Sequence, residues 1–468
     1  MRRHHFCLPD ASDALVLARA GSVPHPSSLR GPDAINQGTA AADAVAFQHA
    51  LRRLAHRPKV EAAKVSLLAA AHEYGVGATV HSLALATLDS LGRNHTLFAP
   101  KLILWANREE CQQSDLSCFF SSLPSLDDAA SSNLDSTKRP RIAIDGMSQP
   151  QWQRIVNTWF GPGSAHAVPI EMPTAMASLE QLAAAMKPRM QASRHRTAAT
   201  CRRAGSGCVR VLPSHFAGTT DESAVLSRLP REFTRHGRFW LIAQTLHFIT
   251  RPNAALRHQL RRERFALRLR AHHPVLALHV RKGDACKHRG ECRSLAAFMP
   301  EVRRVARTYG IRAVFLSTPS ADVRAETAHY PEFTWLFRKK IIDAATASNV
   351  TRLEEGLLNR RVRALDEWNS LMLDVYLMAE AQAIVGAFSS SAARLALALM
   401  AAAPGGCLKP FVSVDINWCF AFFHGGPEVL RRGAEHSEIS VLGDGSRAER
   451  EARGAAAAKR VVDSGMTC

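Results

Sequence analysis

From residue 275 onwards, short apolar runs alternate with amphipathic segments, and this alternation restricts the fold more than any other feature of the chain. VLALHVR, RAVFLST and AIVGA read as buried strands. SLAAFMPEVRRVARTYG, SADVRAETAHY, WNSLMLDVYLMAEAQ and SSAARLALALM read as the helices that follow or precede them. Strands that alternate with helices in this way form a parallel sheet covered by helices on both faces. In such α/β folds ligands settle beyond the carboxyl ends of the strands. The residues just after each apolar run are therefore the first place to look for chemistry.

Three strand exits carry polar groups. VLALHVR ends at Arg281, followed by Lys282, Gly283 and Asp284. Period-two alternation puts His279 and Arg281 on the face opposite Leu276, Leu278 and Val280. A planar, always-charged guanidinium beside a turn can reach a phosphate bidentately; the plainer reading is an Arg281–Asp284 salt bridge that ties down the turn. The second exit, Leu316-Ser317-Thr318-Pro319-Ser320, offers hydroxyls that cap the next helix or touch a ligand. The third runs from Gly386 into Ser389-Ser390-Ser391, with Arg394 one turn into the helix. Serines at a helix N-terminus present hydroxyls and N–H groups to an anion, or simply cap the helix. Asp374 lies within LMLDVYLM, where a carboxylate needs either a ligand's donor or an internal arginine.

The rest of the chain divides into four parts. Residues 1–60, rich in Pro, Ser, Ala and His without sustained periodicity, read as a mobile stalk. Residues 61–250 form a first domain: helical from EAAKVSLLAAAHEYG, then a second helix with Val80, Leu83, Leu85, Leu88 and Leu91 roughly on one face, then a strand, KLILWAN. The Gly75-Val76-Gly77 turn before that second helix can hold an anion on free N–H groups, although most such turns are only turns. Residues 121–140 read as a loop. RFWLIAQTLHFITRPNAALRHQLRR is a helix broken at Pro252, a hinge between halves. Residues 251–430 are the second domain, and the charged, alanine-rich tail 431–468 is solvated.

A composition of 46% hydrophobic and 22% charged residues is that of a globular protein. The formal charge of +19 invites a nucleic-acid partner, but the arginines are spread along the chain without a basic block interleaved with aromatics. No nucleic-acid partner is expected, and an anionic small molecule or an acidic membrane fits such a surface as well. The cysteines fall in close pairs, Cys111 with Cys118, Cys201 with Cys208, Cys286 with Cys292 and Cys407 with Cys419. None is spaced C-x-x-C, so local disulfides are the better reading than a zinc site. With two N-x-T sequons at Asn94 and Asn349, they point to an oxidising secretory compartment. No N-terminal run is long enough for a signal core or membrane span, and the anchor for such a location is expected outside this sequence.

HVRKGD resembles the H-x-R-x-(G/T)-D signature of the fucosyltransferase superfamily, which includes α1,6-fucosyltransferases, bacterial nodulation fucosyltransferases and protein O-fucosyltransferases. VFLSTPSADVRAET is similar to the second motif of that family. DVYLMAEAQAIVGAFSSSAARLALALM resembles the third, including Asp374, Ser389, Ser390 and Arg394. GVGATVHSLALATLDSLGRNHTLF looks like the N-terminal segment of the α1,6 branch, so the resemblance covers roughly residues 70–425. It implies a GT-B fold of two Rossmann-like domains, with a C-terminal half that binds GDP-fucose and an N-terminal half that faces a glycan or glycoprotein acceptor in the Golgi or secretory lumen. It further implies inversion by direct attack, with no cofactor: Arg281 stands in for a metal at the β-phosphate, and His279, Asp374 and Ser390 contact the nucleotide. Thr318, Ser389 and Ser391 complete the expected donor site. The chain departs from the pattern in two places, where Pro319-Ser320 replace an acidic pair and Ser391 replaces a glutamine. The catalytic base would be Glu291, the one glutamate in the loop after the first motif, with Asp284 as competitor. A catalytically silent nucleotide-sugar or glycan binder of the same fold is the alternative.

Overall fold

The computed structural model describes residues 32–56, 65–68, 75–98, 110–111, 115–123, 141–144, 208–212, 222–282, 293–339, 357, 362–402 and 409–414. Helix α1 (Pro32–Ala55) occupies most of the stretch read as a stalk. Phe47, Leu51 and Leu54 recur at i, i+4 and i+7 and are buried, Phe47 edge-on to Phe233 with ring centroids 5.0 Å apart. The stalk reading fails because this apolar stripe is confined to the end of an alanine-rich helix, too short to stand out from its surroundings.

A four-stranded parallel sheet forms the N-terminal half. Its strands are β1 (Val65–Leu68), β2 (Thr96–Phe98), β3 (Arg141–Ile144) and β4 (Cys208–Leu212), in the order β2-β1-β4-β3. Residues 65–68 were expected to be helical. A four-residue apolar run does not distinguish helix from strand by periodicity, and pairing with β2 on one side and β4 on the other decides it. Between β1 and β2 lies α2 (Val76–Gly92), whose residues 79–90 are all buried, so the one-faced helix expected from sequence is in fact covered all round. The KLILWAN strand, most of the 121–140 loop and the 431–468 tail lie outside the described residues.

Four helices lead to the second half: α3 (Glu222–Leu226), α4 (Arg231–Thr234), α5 (Arg238–Ile249) and α6 (Ala254–Leu267). The expected break at Pro252 separates α5 from α6, and the Asn253 side chain caps α6 by accepting from the Leu256 N–H at 2.9 Å. The break is held in place: the Arg251 carbonyl accepts from the Ser121 N–H and the Phe119 carbonyl accepts from the Asn253 N–H, both at 2.9 Å. Beside these partners a disulfide joins Cys111 to Cys118. The pairs Cys201–Cys208, Cys286–Cys292 and Cys407–Cys419 lie outside what the structure describes.

The second sheet is also wholly parallel. After β5 (Val275–His279) the chain runs through α7 (Leu295–Tyr309) to β6 (Ala313–Ser317), then through α8 (Ala321–Glu326) to β7 (Thr334–Leu336). It returns through α9 (Ala364–Ala379) to β8 (Ala383–Gly386) and through α10 (Ser391–Ala402) to β9 (Phe411–Ser413). The order β7-β6-β5-β8-β9 places a topological switch point between β5 and β8, because the chain builds outward from β5 on one side and then crosses to the other. A crevice opens at the carboxyl ends there. Two parallel α/β sheets are the architecture the GT-B resemblance implied. Helix α5 packs on both α2 and α10, and one continuous apolar core runs from Phe47 to Val412.

Candidate functional site

Strand register brings the first polar group to the switch point. His279, the last residue of β5, is paired with Ser317 of β6 and with Gly386 of β8. Gly386 makes room here: a Cβ on it would lie 3.6 Å from the His279 Cβ and 3.3 Å from the Ala393 Cβ. The third exit then folds Ser390 back over the histidine.

These groups form a directed hydrogen-bond chain. The Ser317 hydroxyl donates to Asp374 Oδ2 at 3.0 Å and so presents a lone pair to His279 Nδ1 at 3.2 Å. That assignment makes Nδ1 the protonated nitrogen and leaves Nε2 to accept from the Ser390 hydroxyl at 2.9 Å. At the far end Arg338 Nη1 donates to Asp374 Oδ1 at 3.0 Å and to the Ser370 carbonyl at 2.7 Å. Its Nε lies 3.4 Å from Glu263 of α6. Burial, seconded by the positive charge of Arg281, holds the His279 pKa down to about 3. Burial raises the Asp374 pKa, against the pull of Arg338. His279 is thus a neutral ring with both nitrogens engaged, and it meets a ligand only by giving up one of these bonds.

Positive potential gathers next to this chain. Arg281 follows β5 directly and is exposed. Helix α10 begins at Ser391, and its first internal bond, from the Arg394 N–H to the Ser390 carbonyl, leaves the N–H groups of the preceding turn pointing out of the helix end. Arg394, 1% exposed, donates to the Ser391 hydroxyl at 3.0 Å. The start of α2 abuts this turn: a Cβ on Gly77 would lie 2.4 Å from the Ser391 Cβ and 3.1 Å from its carbonyl carbon, so no other residue fits there without displacement. Two helix N-termini and two arginines therefore converge, the arrangement that favours an anion. His81 of α2, buried near Arg394, has its pKa lowered to about 3 by desolvation and by that arginine, and its Nδ1 lies 2.7 Å from the Gly77 carbonyl.

Of the residues singled out from sequence, His279, Asp374 and Ser390 meet in one chain of contacts. Ser391 adjoins it, and Ser389 lies half-buried in the turn before α10. Thr318 is buried one residue beyond β6, where its hydroxyl accepts from the Ser320 N–H at 3.3 Å, while Ser320 caps α8. The capping reading of that exit therefore holds. Asp284 and Glu291 lie outside the described residues. Arg338 was missed: it leaves β7 as Arg281 leaves β5, but a three-residue strand gave no periodicity from which to read it.

Residues 224–417 match the family model described as alpha-(1,6)-fucosyltransferase N- and catalytic domains. A curated alpha-(1,6)-fucosyltransferase of Drosophila melanogaster is 25% identical over 212 residues, 43% of this chain but 31% of that relative, so the chain spans about a third of its length. Among solved structures, NodZ alpha-1,6-fucosyltransferase soaked with GDP-fucose is similar at 15% identity and a TM-score of 0.38, over 73% of this chain and 93% of that one. POFUT1 in complex with GDP-fucose is similar at 10% identity and a TM-score of 0.37, over 74% and 96% of the two chains. The HVRKGD strand, the Ser317 exit and the serine-rich turn all fall within the region matched by the family model, and the chain belongs to the fucosyltransferase superfamily.

Proposed function

We propose that this protein transfers fucose from GDP-fucose to a hydroxyl of a glycan or glycoprotein, with inversion and without a metal. The observation that carries the reading is the convergence of Arg281 and the N-termini of α2 and α10 at the switch point of the second sheet. In glycosyl transfer negative charge builds on the departing diphosphate, and a preorganised cation with helix N–H groups stabilises that charge more in the transition state than in the ground state. Arg281 supplies the fixed charge. His279 is neutral and does not, and its part is to hold Ser390 toward the donor. The acceptor hydroxyl needs a base, for which Glu291 and then Asp284 are our candidates. We place the reaction in the secretory lumen, a reading supported by the Cys111–Cys118 disulfide and by the exposure of sequon residue Asn94.

One observation favours a silent relative instead. Both Asp374 oxygens are engaged, by Arg338 and Ser317, so the carboxylate assigned by resemblance to the nucleotide is satisfied internally. Calorimetric titration with GDP and GDP-fucose, without added metal, tests the first reading. Saturable binding weakened about tenfold or more in Arg281→Lys is expected, since lysine keeps the charge and loses the fork. No binding to either nucleotide by folded protein refutes it. Binding of GDP-fucose without transfer or hydrolysis selects the silent relative.

A further inference from the structure

Helix α6 has two faces of different character. Leu256 and Leu260 are buried, and the helix packs on α9. The one acidic residue of α6, Glu263, lies beside Arg338, and Arg264 pairs with Glu380. The outer face carries Arg257, Arg261, Arg262 and Arg268, continued by Arg270 just beyond the helix, all exposed. Arg261, Arg262, Arg268 and Arg270 make no ion pair among the described residues. In their midst stands Phe265, 87% exposed; Arg261 precedes it by four positions, Arg262 by three, and Arg268 follows by three, the spacings that share a helix face.

Fully exposed phenylalanine is costly and is rare on a protein that keeps this face in water. A duplex or another soluble polyanion would be satisfied by the arginines and would leave the ring solvated. A bilayer with acidic headgroups uses both: guanidiniums bind phosphate at the surface while an aromatic ring enters the boundary with the acyl chains. No helix among the described residues is long and apolar enough to cross a membrane, so attachment by this face would be peripheral. We propose that the outer face of α6 docks the protein on acidic phospholipid membranes. Because the inner face of α6 reaches Arg338 through Glu263, docking would set the orientation of the switch-point crevice relative to the bilayer.

The test is co-sedimentation of the full chain with vesicles of phosphatidylcholine alone or mixed with phosphatidylserine. Binding only to the acidic vesicles is expected, falling steeply with salt. Phe265→Ser should weaken it about fivefold or more, and Arg261→Glu with Arg262→Glu about thirtyfold or more. These side chains are exposed, so matched thermal unfolding should show that the variants fold, and GDP binding should not change. Absence of binding to acidic vesicles overturns the proposal, as does equal binding to phosphatidylcholine alone. Undiminished vesicle binding by Phe265→Ser, or preference for soluble heparin or duplex DNA over vesicles, also overturns it in favour of a general polyanion site.

Discussion

Acidification should destabilise this protein through two histidines that are buried neutral. His279 and His81 are each 4% exposed, and each is held at a pKa of about 3 against an ordinary value of 6.5. A group whose folded pKa is depressed contributes stability that is fully present above its unfolded pKa and lost as pH falls toward the folded value. The window therefore opens below 6.5. At pH 5 the unfolded imidazole is almost wholly protonated and the folded one is not, a cost of about 2 kcal/mol for each histidine, or about 4 kcal/mol together. Asp374 acts in the opposite sense: its pKa is raised, so its contribution is present below 3.8 and lost as pH rises through its folded value. Single-site variants separate these effects.

The assay is guanidinium unfolding between about pH 7.5 and 5, followed by the fluorescence of Trp368, which is fully buried and stacked on Phe119 at 4.3 Å. His279→Gln keeps a neutral polar group and removes one proton from the pH dependence. It should be less stable at neutral pH, because the chain from Ser390 to Asp374 is broken, yet lose about 2 kcal/mol less than the parent on acidification. His81→Gln should behave likewise. Equal pH dependence in the parent and both variants would refute the argument, as would an NMR titration of the His279 ring near its ordinary pKa.

Other perturbations follow from the same geometry. Gly77→Ala forces a methyl against the Ser391 backbone and should cost about 2 kcal/mol while weakening GDP binding, read by chemical unfolding and calorimetry. Arg338→Met leaves Asp374 without its cation and should cost about 3 kcal/mol; adding Asp374→Asn should recover part of that loss in a double-mutant cycle. Cys118→Ser opens a loop closed across a separation of seven residues and should lower stability by about 2 kcal/mol, with proteolysis beginning near Phe119.

The second half of the fold was legible because its strands are buried on both faces and its helices are long. Val275–His279 and Ala313–Ser317 are buried at every position, which is why each reads as an unbroken apolar run. β7 and β9, three residues each, carry too little pattern to be read, and the edge strand β7 took Arg338 out of view with it. The first half was harder for the opposite reason: α1 and α2 are alanine-rich, and the wholly buried α2 has no polar face to set its period.

What sequence could not supply was the partner of each polar group. Asp374 was recognised as needing a donor, and both a ligand and an internal arginine were open; the fold supplies Arg338 from a segment with no regular pattern, 36 residues earlier. This has a mechanistic consequence. An ion pair on Asp374 keeps its carboxylate charged despite burial, the charged carboxylate holds the Ser317 proton, and Ser317 thereby fixes the tautomer of His279. With Nδ1 protonated, Nε2 can only accept, and Ser390 must spend its proton on it, so its remaining lone pairs face the crevice as acceptors. Phosphate oxygens are then met by N–H groups of α10 and by Arg281, whereas Ser390 is oriented to accept from ligand hydroxyls. The same chain of contacts that satisfies Asp374 internally thus divides the crevice into an anion end and a hydroxyl end.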